Sequence, residues 1–262
     1  MSGIHPSAIV AEEARIGSGV EIGPCAVIGP EAALDEGVRV LAHAVVDGRT
    51  EIGPQCVIHP FARVGGQTQD LKFKGGKPGV RVGARTTIRE YVTINAATND
   101  NEFTEVGEDC LIMAYNHIAH CCRLGRGVIL TNACQVAGHV EIEDYAVVEG
   151  MCGIVQFTRI GRMAFVGGMS KVTKDVPPFM LGTGNPFEVR GINRVGMERR
   201  GVSEAVRREL KEAFRMLYRS DRSVSRAVEE IRAQGSDGEE IRHLLAFIES
   251  SKKGITRNGP GS

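Results

Sequence analysis

Tryptophan is absent from the 262-residue sequence, and aromatic side chains make up only 5% of it. Aromatic residues usually dominate the energetics of a globular core, so a narrow, regular interior filled by the abundant isoleucine and valine is expected instead. No run of 18 apolar residues occurs, which argues against a transmembrane helix. The first ten residues lack the basic and apolar regions of a signal peptide, and a cytoplasmic protein is expected. Neither sign of charge is in excess: 32 basic residues balance 32 acidic ones. That balance argues against a nucleic-acid binder and against a membrane-surface protein, and without a long apolar run no stable membrane insertion is expected. Seven cysteines are present without a single C-x-x-C pair, so neither a metal knuckle nor a disulfide framework is expected. Buried free thiols in a reducing compartment are the better account.

What the sequence has in plenty is a period. Every sixth residue from Ile4 to Val64 is aliphatic; the pattern resumes at Val82, Ile88 and Ile94, and again from Val106 to Val172. These are 26 positions without an exception, 23 of them β-branched. Four residues after the aliphatic position sits something small, such as Ala8, Ala14, Ala26, Cys110, Cys122, Cys134 or Ala146, and five of the seven cysteines fall at this position. Glycine often follows the aliphatic residue directly, as in Ile16-Gly17, Ile52-Gly53 and Ile160-Gly161, where a tight corner is expected. A hexad of this kind is one side of a triangular prism: β-branching suits short parallel strands, and the small residue leaves room inside the turn. Three hexads make a coil of 18 residues, and successive coils stack about 4.8 Å apart. The pattern is that of a left-handed parallel β-helix.

The period breaks twice, near 66–80 and 97–105, in polar, glycine- or asparagine-containing stretches expected to leave the prism as external loops. Loops on a rigid scaffold are where binding residues concentrate. The repeat is expected to end at Pro177-Pro178, a pair unable to donate to a ladder. A β-helix over 1–178 and a C-terminal α-helical domain over 179–262 are therefore expected. Ser203 caps a helix running to about Arg219; Ser223 to Gln234 and Asp237 to about Ser251 read as two more amphipathic helices, each opened by a capping residue. The tail from Lys252 is expected to fray.

An 18-residue coil also works as a ruler. Ile118, Val136 and Ile154 lie above one another on one face, so His120, His139 and Gln156, two or three residues beyond them, should form a polar column, with His117 at its corner. Two chemistries fit such a column. A neutral histidine can act as general base while another group holds a developing oxyanion; alternatively His117, His120 and His139 can bind zinc and activate water. A non-catalytic scaffold is the third option.

Several strings are more specific than the hexads. Gln69-Asp70-Leu71-Lys72, Ile88-Arg89-Glu90, His117-Ile118-Ala119-His120, Ala137-Gly138-His139-Val140, Asp175-Val176-Pro177-Pro178, and Gly191-Ile192-Asn193 followed by Arg199-Arg200-Gly201 resemble, in order and spacing, the bacterial UDP-N-acetylglucosamine O-acyltransferase family over essentially the whole chain. The resemblance implies a homotrimer that moves an (R)-3-hydroxyacyl chain from acyl carrier protein to the 3-position of the UDP-sugar, the first step of lipid A synthesis, with no metal and no cofactor. It implies that His120 is the general base and that the Gly138 N–H donates to the thioester oxyanion. It places Asp70 and Lys72 against the acyl or sugar portion, with Asn95, His117, His139 and Gln156 in the same cleft. Asn193, Arg199 and Arg200 look like the nucleotide end, where guanidinium groups suit a diphosphate. Gly168 matches the position where the family measures acyl length. Lys171 stands nearby where a small residue is usual, and would shorten the acyl pocket.

Other departures gather around substrate recognition. Cys121 replaces an acidic residue able to orient the imidazole; Asn95 stands in place of a histidine; Val155 and Pro186 also differ from the family pattern. They raise the alternative of a 3-amino acceptor sugar, giving an amide, or of another hexapeptide acyltransferase. A glucosamine N-acyltransferase of the same pathway fits less well, because its additional N-terminal domain has no counterpart where hexads begin at residue 4. The helices carry Arg207, Arg208, Lys211, Arg215, Arg219, Arg222 and Arg226, a basic surface toward which an acidic carrier protein would be steered.

Overall fold

The computed structural model describes residues 3–234 and 238–257. Its strands are mostly two residues long and assemble into three sheets of 11, 9 and 8 strands, each sheet taking every third strand of the β-helix. Consecutive strands therefore lie on different faces of the prism, and hydrogen bonding runs between coils. Pairing is parallel and in register at the 18-residue interval: Ile118 opposes Val136, and Val136 opposes Ile154. The aliphatic positions point inward and, from Ile22 to Val172, are at most 4% exposed. Burying each such side chain contributes about 1.5–3 kcal/mol, and the sum over a stack of coils is what holds so many very short strands together.

The corners come from a different residue than the glycines suggest. Among the described residues, eighteen that are not glycine adopt positive φ, including Cys121, His139 and Phe157 on three successive coils. All but Asn101 sit three residues after an inward aliphatic residue, where the chain turns. The glycines one residue after the aliphatic position serve close approach between coils instead: a Cβ on Gly53 would lie 2.9 Å from the Ala84 nitrogen, and one on Gly161 would collide with Pro178. A non-glycine residue in the left-handed region costs about 1–2 kcal/mol. Part of that cost is offset where corner side chains stack, as in the His43–Phe61–Tyr91–Tyr115 ladder with ring centroids 4.9–5.0 Å apart.

The inner small position admits a polar residue where the backbone inside the turn can partner it. Asn116, 1% exposed, donates from Nδ2 to the carbonyls of Met113 (2.7 Å) and Thr131 (2.8 Å), and its Oδ1 accepts from the Cys134 N–H at 2.9 Å. Truncation would leave the Met113 carbonyl and the Cys134 N–H without these partners, which costs about 1–3 kcal/mol per group. Asn116→Ala is thus expected to lower stability by about 2–4 kcal/mol, seen as a lower urea midpoint at unchanged slope. An unaltered midpoint would contradict this role.

Both interruptions of the period are external loops, shorter than the sequence suggests. Strands Arg63–Gly66 and Gly79–Val82 bracket the first, Thr93–Asn95 and Phe103–Val106 the second. The ends of each polar stretch stay in the ladder because Gly79 and Val80 pair with Phe103 and Thr104. The two loops hold each other: the Lys77 N–H donates to Asp100 Oδ1 at 2.7 Å, and Thr98 Oγ1 donates to Asp70 Oδ2 at 3.3 Å.

The sheet does not stop at Pro177-Pro178. Met180–Thr183 adds a parallel strand against Phe165–Val166, and Glu188–Ile192 returns antiparallel to it. Proline cannot donate to a ladder, but both prolines fall between ladder positions, so the coil passes them. Four helices follow among the described residues: α1 Arg194–Arg199, α2 Glu204–Tyr218, α3 Val224–Ala233 and α4 Glu239–Glu249. The first has no counterpart in the sequence-based expectation. Ser203 and Ser223 cap α2 and α3 by accepting from Val206 N and Arg226 N, whereas Asp237, expected to open the last helix, lies outside the described residues. From Lys252 to Arg257 the chain is tied down instead of frayed. Lys253 Nζ donates to the Gln156 carbonyl at 2.7 Å, and the Thr256 N–H donates to the Asp175 carbonyl at 2.8 Å. No helix among the described residues is long and apolar enough to cross a membrane.

Candidate active site

The fold places a cleft of about 710 Å³ on the outer face of the nine-stranded sheet, beside the first loop. His117, Gln135, Gly153 and Lys171, one from each successive strand of that sheet, form its floor; Ala119, His120, Gly138, Val155 and Gln156 lie along the adjoining turn, with Gln69 and Asn95 at the loop side. The floor and turn positions are set by the coil interval and not by local sequence. Sequence reasoning passes over Gln135 and Gly153, although counting 18 and 36 residues on from His117 reaches them.

His120 sits on a turn of the cleft whose backbone is firmly held. Its turn is held by the Ala119 N–H on the Val136 carbonyl (3.0 Å), the Cys121 N–H on Thr104 Oγ1 (2.9 Å) and its own carbonyl, which accepts from the His139 N–H (3.0 Å). The residue is 9% exposed; Nε2 faces the Asp70 carboxylate at 3.8 Å, and Nδ1 is buried with no hydrogen-bond partner. Burial holds its imidazole below the ordinary histidine range, against the nearby Asp70 carboxylate, which favours the proton. The ring is consequently neutral at neutral pH. The Asp70 carboxyl is itself held low, first by the Lys72 N–H that donates to its Oδ1 at 3.0 Å. Lys72 thus contributes its backbone here, and its side chain does not line the cleft.

The column differs from its expected composition by one register position. Residues at the interval of 18 from His120 are Gly138 and Gln156, and these three make the column. His139 belongs to the corner beside it, between Cys121 and Phe157; its ring stacks on Phe157 at 4.8 Å and meets His120 edge-on at 5.2 Å. Gly138 is what makes room for the imidazole, because a Cβ there would collide with the His120 ring. Its own N–H donates to no acceptor among the described residues, which leaves a backbone donor beside the imidazole.

His117 lies in the floor, its Nδ1 2.7 Å from Thr93 Oγ1, with its pKa lowered first by burial and then by His120. The trio His117, His120 and His139 considered for zinc does not converge. Among the described residues, the metal-capable atoms that do lie within 4.8 Å of one another belong to His120, Cys121 and His139. Cys121 is not isolated: its thiol donates to Glu102 Oε2 at 3.3 Å, so an acidic group reaches that corner from the second loop instead of from position 121. Burial pushes the thiol up to about 11. For Glu102, burial alone would raise the carboxyl, but hydrogen bonds from Cys121 and Asn99 outweigh it and hold the group low. Glu102 leaves no signal in the sequence, because it lies in the second loop outside the hexad register.

Asn95 lines the cleft with Nδ2 donated to the Gly66 carbonyl at 3.3 Å and Oδ1 buried without a partner. Of the two residues tied to acyl length, Lys171 lines the cleft and Gly168 does not; a Cβ on Gly168 would sit 3.3 Å from the Gly150 carbonyl. The three residues assigned to the nucleotide are elsewhere in the protomer. Asn193 is 5% exposed and engaged as the cap of α1, accepting from Gly196 N at 3.0 Å and donating to the Met163 carbonyl at 2.9 Å. Arg199 ends α1, and the Arg200 guanidinium lies over the Tyr145 ring, 4.1 Å from its centroid.

The family model described as "Udp N-acetylglucosamine O-acyltransferase; Domain 2" matches residues 175–256. The acyl-[acyl-carrier-protein]–UDP-N-acetylglucosamine O-acyltransferase of Thermodesulfovibrio yellowstonii is 43% identical over 258 residues, 98% of this chain and 100% of the relative. Its counterpart in Burkholderia orbicola is 42% identical over 262 residues, with the same coverage. Among solved structures, a UDP-N-acetylglucosamine acyltransferase from Bacteroides fragilis superposes with a TM-score of 0.94 at 34% identity, covering 97% of this chain and 99% of its own. The one from Campylobacter jejuni gives 0.92 at 35%, covering 98% and 100%. Similarity of this extent, on a left-handed β-helix whose cleft carries the His120–Gly138 pair, establishes that the chain belongs to the UDP-N-acetylglucosamine O-acyltransferase family.

Proposed function

We propose that this chain transfers an (R)-3-hydroxyacyl group from acyl carrier protein to the 3-hydroxyl of UDP-N-acetylglucosamine, the first step of lipid A synthesis. The observation that carries the reading is a neutral imidazole, Nε2 toward the cleft, beside the uncommitted Gly138 N–H. His120 takes the proton of the sugar hydroxyl as its oxygen attacks the thioester carbonyl. The Gly138 N–H donates to the oxyanion that forms. Collapse breaks the carbon–sulfur bond, and the imidazolium returns its proton to the departing thiolate. Asp70 stabilises the imidazolium in the interval, since its carboxylate lies 3.8 Å away. No step requires a metal or cofactor.

The proposed active unit is a homotrimer in the cytoplasm. Arg199 and Arg200 lie outside the protomer's own cleft, so a role at the diphosphate is served only across a subunit boundary. The basic helix surface proposed for the carrier protein is partly neutralised: Arg215 pairs with Glu212, and Arg222 and Arg226 share Glu230. Arg208, Lys211 and Arg219 pair with no carboxylate among the described residues and are the cations left to attract an acidic partner.

A second reading, transfer to the 3-amino analogue of the sugar, has one observation in its favour. The buried, unpartnered Oδ1 of Asn95 in the cleft offers an acceptor to an amine. Both readings are tested by supplying (R)-3-hydroxyacyl carrier proteins of several chain lengths with each UDP-sugar in turn. Transfer to the hydroxyl sugar at least roughly tenfold faster than to the amine is expected if a neutral hydroxyl is what the base serves; the reverse preference would establish the amide reaction. No transfer to either by folded enzyme would remove both.

A further inference from the structure

His120 has two faces with different surroundings. Nε2 looks into the cleft toward Asp70, whereas Nδ1 is buried and lacks any partner. Beside the ring lie the Cys121 thiol and the His139 imidazole, with one ligand atom of each of the three residues within 4.8 Å of the others. The Glu102 carboxylate approaches the same spot, 3.3 Å from Cys121 Sγ. Two imidazoles, a thiol and a carboxylate are a borderline-soft donor set of the composition that selects zinc over magnesium or calcium. Tetrahedral zinc holds nitrogen at about 2.1 Å and sulfur at about 2.3 Å, which sets ligand atoms about 3.5 Å apart, so the three donors need an inward shift of up to roughly 0.8 Å each. Cys121 and His139 are corner residues one coil apart, fixed by backbone bonds, so their side chains can turn without moving the coil.

We propose that His120, Cys121 and His139, completed by Glu102, form an inhibitory binding site for Zn²⁺ and related borderline-soft cations. On binding, the Cys121 thiol gives up its proton to solvent and the metal takes a lone pair from each imidazole. A coordinated His120 can no longer cycle through the imidazolium that transfer requires, so occupancy stops the reaction. The inhibitory consequence rests on His120 being the base; the binding itself does not.

The test separates these two parts. Co²⁺ is titrated into the full-length protein carrying Cys25→Ser, which removes the exposed thiol, and absorption is followed for sulfur-to-cobalt charge transfer. A saturable band at one equivalent is expected, lost in Cys121→Ser, weakened about tenfold or more in Glu102→Gln, and displaced by Zn²⁺. In parallel, Zn²⁺ is expected to inhibit acyl transfer reversibly, with a chelator restoring it, and to inhibit Cys121→Ser at least about tenfold less, the usual cost of a lost metal contact. Absence of the band, or a band that persists in Cys121→Ser, overturns the metal site and leaves the acyltransferase reading untouched. A band that tracks Cys121 without loss of transfer overturns the inhibitory role, because the metal is then held without engaging His120, and it too leaves the acyltransferase reading untouched.

Discussion

His120→Ala is expected to lower the rate of acyl transfer by about 10²–10⁴-fold, the usual worth of a positioned general base, with the protein still folded. The side chain packs at a turn whose hydrogen bonds do not involve the imidazole, so the coil keeps its shape and far-ultraviolet circular dichroism should match the parent. The same assignment fixes a pH profile. Proton abstraction requires the neutral ring, so kcat/KM falls as pH drops through the imidazole pKa. Burial places that value below the ordinary histidine one, and the profile should be level from neutral pH upward with its acid limb on the low side of the histidine range. Asp70 favours the protonated form. Asp70→Asn should therefore move the acid limb to still lower pH while slowing transfer, because the imidazolium loses its nearby anion. A limb that stays put in Asp70→Asn, or persists in His120→Ala, would detach the titration from this residue.

Gly138→Ala carries the second large effect, and for a reason confined to side-chain space. The backbone at Gly138 is not in the left-handed region, so alanine is acceptable to the chain itself. The added Cβ, however, would collide with Cε1 and Nε2 of His120, the end of the ring that faces the cleft. The imidazole must swing away, and the neighbouring N–H shifts with respect to the carbonyl it serves. Misplacement of a reacting group by about 1 Å costs on the order of 10²-fold, and disturbance of an oxyanion donor about as much again or more. A fall of about 10²–10⁴-fold in kcat is expected, with a thermal midpoint close to the parent's, since the base relieves the clash by turning toward the open cleft. Near-normal kcat in folded Gly138→Ala would show that neither the ring position nor the N–H matters.

The two effects point to different degrees of legibility. The ladder of aliphatic residues could be read directly because a coil of constant length converts sequence separation into spatial stacking: Ile118, Val136 and Ile154 are neighbours for no other reason. The same conversion reaches the site, and His120, Gly138 and Gln156 share a column because they are 18 residues apart. His139, one position past that interval, lies on another wall of the turn, since adjacent residues at a corner point in different directions. Asp70, Lys72 and the arginines were recognisable only through family resemblance. No interval connects them to the coil.

The hexad repeat alone dictates the architecture, because a strict period of six admits one economical way of burying its aliphatic residues, and the cysteines and other small residues fill what room is left. It also dictates which turn holds His120. What surrounds that imidazole is a matter of packing between distant segments. Asp70 and Glu102 arrive on two loops that leave the prism, so their approach to His120 and Cys121 depends on how those loops pack against each other through Thr98 and Asp100. Likewise Lys253 reaches Gln156 across 97 residues of chain, and Arg199 and Arg200, read as the nucleotide end, lie outside the cleft that holds His120. Contacts inside the repeat follow from periodicity, whereas contacts between excursions follow from packing, which leaves no periodic trace in the chain.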